Sequence, residues 1–213
     1  MYSLFDILTF VFLMNASVGL VVAQGNEIDR QERIDDCRSE VIYIDKHKNE
    51  VNYIAHYNEC LEQPTKVKYT IHPNRAPIIT RKVDGGRFFI DGDIHTSDNK
   101  DYRKNIYDRG HLLPASARRY NRVLYRKTFS FINVALQVDK LNRGVWRDLE
   151  VEVQELSDSL DIPIDVVIEV IFNEDSERLP TNSVVPFAFR KTFLDKCYIF
   201  ANKSDAIRQE CQQ

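Results

Sequence analysis

The spacing of apolar positions changes several times along the chain, and those changes outline the fold. Runs at 40–45 (EVIYID), 51–58 (VNYIAHYN), 66–73 (KVKYTIHP), 76–83 (APIITRKV) and 87–94 (RFFIDGDI) alternate apolar with polar residues or are rich in β-branched and aromatic ones, as half-buried strands are. Asp84-Gly85-Gly86, between the last two, is a tight-turn signal. Residues 95–105 hold few apolar side chains and read as a loop. The stretch 115–127 has no strong period and reads as a short helix or a structured loop. Further strands are predicted at 128–137, 166–173, 184–194 and 197–203. Between the first two of these, Trp146, Leu149, Val153 and Leu156 recur at spacings of three and four after Asn142, a favoured N-cap, which predicts the clearest helix. The pattern is that of an α+β domain, mainly antiparallel sheet with one central helix.

The N-terminus stands apart from this pattern. Residues 7–23 carry no charge and end in Val21-Val22-Ala23, a small-residue cleavage pattern, so 1–23 reads as a signal peptide and the chain as secreted. An uncleaved membrane anchor is the alternative, against which the polar Asn15 and Ser17 count. Asp6 and the lack of Lys or Arg before the apolar run depart from the usual signal, but an Arg-rich transit peptide is equally missing. The remainder divides into a polar lead-in, 24–65, and a body, 66–213. All four cysteines lie beyond the signal segment: Cys37 and Cys60 in the lead-in, Cys197 and Cys211 near the C-terminus. Three pairings are open, of which the two local ones are simplest. Free thiols would require a reducing compartment, and no Cys-x-x-Cys spacing suggests zinc. Asn202-Lys203-Ser204 forms a glycosylation sequon.

A net charge of −3, or −2 once Asp6 leaves with the signal, does not by itself advertise a polyanion-binding protein. Its distribution says more. Between residues 103 and 127 there are eight Lys or Arg against the single acid Asp108, whereas between 148 and 177 there are eleven acids and no base. Such segregation can present one positive face on an acidic, soluble protein, although solvated surfaces would give the same counts.

Inside the basic stretch, YDRGHLLPA (107–115) places Asp108, Arg109, Gly110 and His111 side by side. On the predicted helix, Asn142, Trp146 and Glu150 fall along one stripe, and an amide oxygen and a carboxylate are hard ligands suited to magnesium or calcium. Each feature alone is commonplace. Together they match the needs of phosphodiester hydrolysis: a base to deprotonate water, a divalent cation for the phosphoryl oxygens, and an Arg to hold the charged group.

DRGHLLPA followed by TFSFINVALQVDKLNRGVWRDLE resembles the signature of the DNA/RNA non-specific endonucleases, the ββα-metal nuclease family, over roughly residues 66–203. The resemblance implies that His111 is the general base and that Asn142 ligates a water-rich Mg2+, with Mn2+ or Ca2+ as substitutes. It implies further that Glu150 holds a metal-bound water and that Arg109 contacts phosphate. Asp108 would orient these groups, Asn133 and Gln137 would brace the His and Asn segments, and Gly110 would permit a turn. Arg81 or Arg87 would be an upstream phosphate contact. DNA and RNA would be the substrates, no membrane would be involved after signal cleavage, and a homodimer is an option that some relatives adopt. Three positions depart from the pattern: Leu136 replaces a Pro, Gln154 an Arg and Ala117 an Asn or Asp. They leave room for a second reading, a secreted nucleic-acid-binding protein with the nuclease fold and weak or no catalysis.

Overall fold

A computed structural model describes residues 46–47, 49–79, 86–90 and 94–212. The signal segment, Cys37, Arg81, the Asp84-Gly85 turn and the strand expected at 40–45 lie outside the described residues.

Ten strands are present among the described residues: β1 (Lys46–His47), β2 (Glu50–Val51), β3 (Ile54–Asn58), β4 (Gln63–Ile71), β5 (Tyr107–His111), β6 (Val134–Val138), β7 (Ile164–Ile171), β8 (Ala188–Phe193), β9 (Lys196–Ala201) and β10 (Gln209–Glu210). Six of them form one antiparallel sheet in the order β10-β9-β8-β7-β4-β3, while β1-β2 and β5-β6 are separate antiparallel pairs. The period-two pattern explains the sheet: Ile164, Val166, Ile168 and Val170 of β7 are buried on one face, alongside Val67, Tyr69 and Ile71 of β4. Tyr53, Ala55 and Tyr57 join this core. Residues read as lead-in up to 65 therefore include a strand of the central sheet.

Two short helical pieces, α1 (Arg122–Lys127) and α2 (Asp139–Leu141), precede the long α3 (Arg147–Leu160). Asn121 caps α1 through its side chain, which accepts from the backbone N–H of Val123 and Leu124. Helix α3 buries Leu149, Val153 and Ser157 and ends at Asp161 in a left-handed conformation. Trp146 is fully buried, its ring 5.5 Å from those of both Phe189 and Phe200. Burying side chains of this size is worth about 1.5–3 kcal/mol each, so this apolar stripe is what docks the helix on the sheet.

Three expectations change. The helical region starts one turn early, at Asp139, and Asn142 is not its N-cap: Asn142 is itself helical (φ −58°, ψ −43°). A π turn, Asn142–Trp146, then follows, in which Gly144 leaves helical geometry (φ −104°, ψ −119°). Hence the Asn142–Trp146–Glu150 stripe is not part of one regular helix. The strand expected at 128–137 divides into a single 3-10 turn, Phe131–Asn133, and β6. Of the strands expected at 76–83 and 87–94, the described residues keep only a bridge between Phe89 and Ser130.

Candidate active site

The DRGH tetrapeptide is a strand. In β5 it pairs with β6 so that Asp108 faces Gln137, Arg109 faces Leu136, Gly110 faces Ala135 and His111 faces Val134. Strand alternation puts Arg109 and His111 on one face of this hairpin and Asp108 and Gly110 on the other.

On the first face Phe88 touches both functional side chains. Its ring centroid lies 5.3 Å from the His111 ring and 5.3 Å from the Arg109 guanidinium carbon. Phe129 stands edge-on to His111 at 5.0 Å, and Tyr102 packs under Arg109 at 5.1 Å. Arg109 also donates from Nε and Nη2 to Asn99 Oδ1, at 3.2 and 2.9 Å. An arginine held on two aromatic faces and one amide keeps its charge in a fixed place.

On the second face Asp108 reaches the helix. Its carboxylate accepts from Arg143 Nε (2.7 Å) and Nη2 (2.6 Å), and from Asn142 Nδ2 (2.9 Å). Partial burial pushes the Asp108 carboxyl up, but the bonds from Arg143 and Asn142 outweigh that and hold it below its ordinary value. The bond to Asn142 also fixes the amide's orientation: with Nδ2 committed to Asp108, Oδ1 is the atom left to serve as a ligand.

Asn133 is fully buried and bridges the segments around His111. Its Oδ1 accepts from Leu113 N–H (2.9 Å), and its Nδ2 donates to the carbonyls of Leu113 and Thr128 (both 3.0 Å). Gln137 acts differently. Both of its amide atoms are buried without a hydrogen-bond partner, and its side chain lies against Gly110. A Cβ on Gly110 would sit 2.4 Å from Gln137 Oε1 and 2.6 Å from Gln137 Cβ. Gly110 is therefore required by close approach of Gln137 and not by a turn.

Glu150 lies on α3 and is half-buried. Desolvation raises its carboxyl to about 7, against the opposing pull of Lys191 and the Trp146 indole. Lys191, on β8 and fully buried, approaches Glu150 Oε1 at 3.9 Å and lies 3.8 Å above the Trp146 ring. Burial in turn lowers the Lys191 ammonium to about 8. Lys191 gave no signal in the sequence, where it follows Arg190 in an apolar strand and nothing in the residue types tells which of the two cations turns inward.

The donor set suits a hard divalent cation. Asn142 offers an oriented amide oxygen, and Glu150 Oε1 is a buried carboxylate oxygen without a hydrogen-bond partner. Among the described residues no group of three His, Cys, Asp or Glu side chains is placed to hold a metal.

Arg87 is exposed, and its carbonyl accepts from Arg126. Gln154 donates to the His72 carbonyl (3.3 Å) and to Asp158 (3.0 Å), so its amide is committed to the end of β4. Leu136 is within β6 and not in a turn. Its N–H donates to Gln63 Oε1 at 3.0 Å, a bond that a proline could not make. Cys197 and Cys211 are bonded, and Cys60 is also disulfide-bonded. The sequon Asn202 is occupied structurally: Nδ2 donates to the carbonyls of Leu136 (3.0 Å) and Pro186 (2.9 Å), while Oδ1 accepts from Val138 (2.8 Å).

Comparisons with known proteins bear on the same segments. A family model described as DNA/RNA non-specific endonuclease matches residues 42–199. Human mitochondrial endonuclease G (Homo sapiens) is 40% identical over 110 residues, 48% of this chain and 35% of that protein. The Bos taurus mitochondrial endonuclease G is 43% identical over 56 residues, 26% of this chain and 19% of that protein. The Danio rerio mitochondrial nuclease EXOG is 32% identical over 66 residues, 31% of this chain and 19% of that protein. This chain thus matches about a third or less of the length of these relatives. A solved structure of the EndoG/EndoGI complex, described as showing the mechanism of EndoG inhibition, superposes with a TM-score of 0.64 at 23% identity, covering 81% of this chain and 82% of that one.

Proposed function

The chain belongs to the DNA/RNA non-specific endonuclease family, and from that premise we propose that it is a secreted, magnesium-dependent endonuclease that hydrolyses phosphodiester bonds of DNA and RNA without strong sequence preference. Its fold is the ββα-metal nuclease fold. The observation that carries the activity is the hydrogen bond from Asn142 to Asp108, which ties the metal-ligand candidate on the helix to the strand that bears His111.

In this reading His111 takes the proton of the attacking water, its ring held in place by Phe88 and Phe129. Arg109 holds the phosphate, with Arg81 or Arg87 as the upstream contact. Asn142 Oδ1 and Glu150 would hold the ion, the first directly and the second through a water. A bound Mg2+ would supply charge stabilisation at the phosphoryl and leaving oxygens. Lys191 balances the Glu150 charge inside the core, and Asn133 fixes the chain on the far side of His111.

Secretion is supported by the uncharged apolar run at 7–23 and by disulfide-bonded cysteines. The mitochondrial relatives point to a second destination. Gln154, committed to His72 and Asp158, favours turnover below that of relatives with an arginine there. Incubation of the purified chain with supercoiled plasmid and with RNA, with Mg2+ or with EDTA, tests the activity. Nicking with Mg2+ that His111→Ala abolishes is expected, and a wild-type chain that cuts neither substrate with any divalent metal would leave the binding-protein reading.

A further inference from the structure

Asp108 and Arg109 are adjacent and oppositely charged, but strand alternation sends them to opposite faces of β5. The acid is committed on the helix side, where its carboxylate accepts from Arg143 and Asn142. Arg109 is met instead by a neutral amide: Asn99 Oδ1 accepts from its Nε at 3.2 Å and from its Nη2 at 2.9 Å. Among the described residues no carboxylate pairs with Arg109, and no hydrogen bond reaches its Nη1.

Asn99 is exposed, yet it sits on a turn that its neighbours fix. Asp101 Oδ2 accepts from the Asp98 N–H at 2.7 Å, the Asp101 N–H donates to the Asp98 carbonyl at 3.3 Å, and Asp98 Oδ1 accepts from the Lys100 N–H. Bonds of this kind between Asp side chains and nearby backbone hold a turn without a helix or sheet around it. Asn105 Nδ2 closes the following residues onto the Asp101 carbonyl at 2.6 Å. Tyr102 anchors the loop from within: it is buried, stacks on Phe131 at 6.0 Å and shares a hydrogen bond with Ser97 at 3.4 Å. Its ring is also one of the two that pack on the Arg109 guanidinium. One short loop thus supplies both the amide and an aromatic wall to the same arginine.

A neutral amide at this place differs from a carboxylate in one respect. Either can accept from a guanidinium and set its direction, but only the carboxylate would cancel the charge. Holding Arg109 beforehand also removes rotamer entropy that would otherwise be lost when an anion binds.

We propose that Asn99 is a positioning residue for phosphate recognition: it aligns Arg109 without neutralising it and so keeps the Nη1 edge for a phosphate of the nucleic-acid backbone. The proposal rests on the nuclease reading for its ligand, but it concerns binding and not bond cleavage.

The test is binding of the full chain to a fluorescent duplex of about 30 base pairs in EDTA, between about 50 and 200 mM salt. Asn99→Asp keeps an acceptor of the same shape and cancels the Arg109 charge. It is expected to reduce the slope of log affinity against log salt by about 0.9, one phosphate contact, so that wild type loses about 3.5-fold more affinity than the variant across that range. Asn99→Ala leaves the charge but frees the side chain, and should weaken binding by about two- to tenfold with the slope retained. Both effects should disappear when the same substitutions are made in an Arg109→Ala chain. An Asp variant with the wild-type slope, as a merely structural Asn99 would give, or losses of equal size in the Arg109→Ala chain, would overturn the proposal. Because no metal is present and nothing is cut, a failure of the nuclease reading would show in the plasmid assay and leave this comparison intact.

Discussion

Gly110→Ala is the sharpest probe of how the hairpin holds its candidate catalytic side chains. The new Cβ would lie 2.4 Å from Gln137 Oε1 and 2.6 Å from Gln137 Cβ, where carbon atoms at rest keep about 3.5–4.0 Å. Gln137 is fully buried and cannot swing into solvent. The strands must therefore part by roughly 1 Å, at an overpacking cost of about 1–3 kcal/mol. Arg109 and His111 flank the glycine on the strand, and a shift of about 1 Å in a catalytic group can cost roughly a hundredfold in rate. Urea unfolding and plasmid nicking measure the two effects. Gln137→Gly removes both clashing atoms, so in the double variant a coupling of about 1 kcal/mol or more should return part of the stability. A Gly110→Ala protein that unfolds at the wild-type urea concentration and cuts at the wild-type rate would refute this packing argument.

Asp108→Asn should loosen Asn142 and lower stability at neutral pH. The native Asp108 carboxyl is held below its ordinary value, so its contribution is complete above the unfolded value of about 3.9 and disappears as pH falls through the lower folded value. The stability gap between wild type and variant, read by urea unfolding, should be constant from neutral pH to about pH 5 and close in stronger acid. Lys191→Met strands the Glu150 charge and should cost about 3 kcal/mol at pH 8 in EDTA. Since burial holds the Glu150 carboxyl above its unfolded value, the protonated form is favoured by folding, and part of that loss should return as pH is lowered to 6. A loss that is the same at both pH values would contradict the buried pair. Asn202→Ala removes three hydrogen bonds that join β6 to the loops beside β8 and β9, and should destabilise by more than 1 kcal/mol. The chain secreted from a glycosylating host should carry no glycan there, which mass spectrometry would show.

Period-two patterns made β4, β7, β8 and β9 legible, because each buries one face on a single core and leaves the other face wet. The DRGH strand was not legible as a strand: its residues are charged or lack a side chain, and β5 forms only by pairing with β6. The apolar spacing gave the docking face of α3, but the π turn at Gly144 cannot be read from residue types and displaces the helix start. The resemblance led to His111, Arg109 and Asn142. The Asp108–Asn142 tether and the Lys191–Glu150 pair needed coordinates, since they join residues far apart in the chain. Gly110 was legible as a necessity, while its cause, the buried Gln137 across the hairpin, was not.

The central claim is a two-part site, with a base on β5 and a metal ligand on the following helix. Calorimetric Mg2+ titration of wild type, His111→Ala and Asn142→Ala, with plasmid nicking on the same samples, tests it most directly. The account predicts that both variants stop cutting, but that His111→Ala binds Mg2+ like wild type whereas Asn142→Ala does not. Wild-type Mg2+ affinity in Asn142→Ala, or undiminished nicking by His111→Ala, would contradict it.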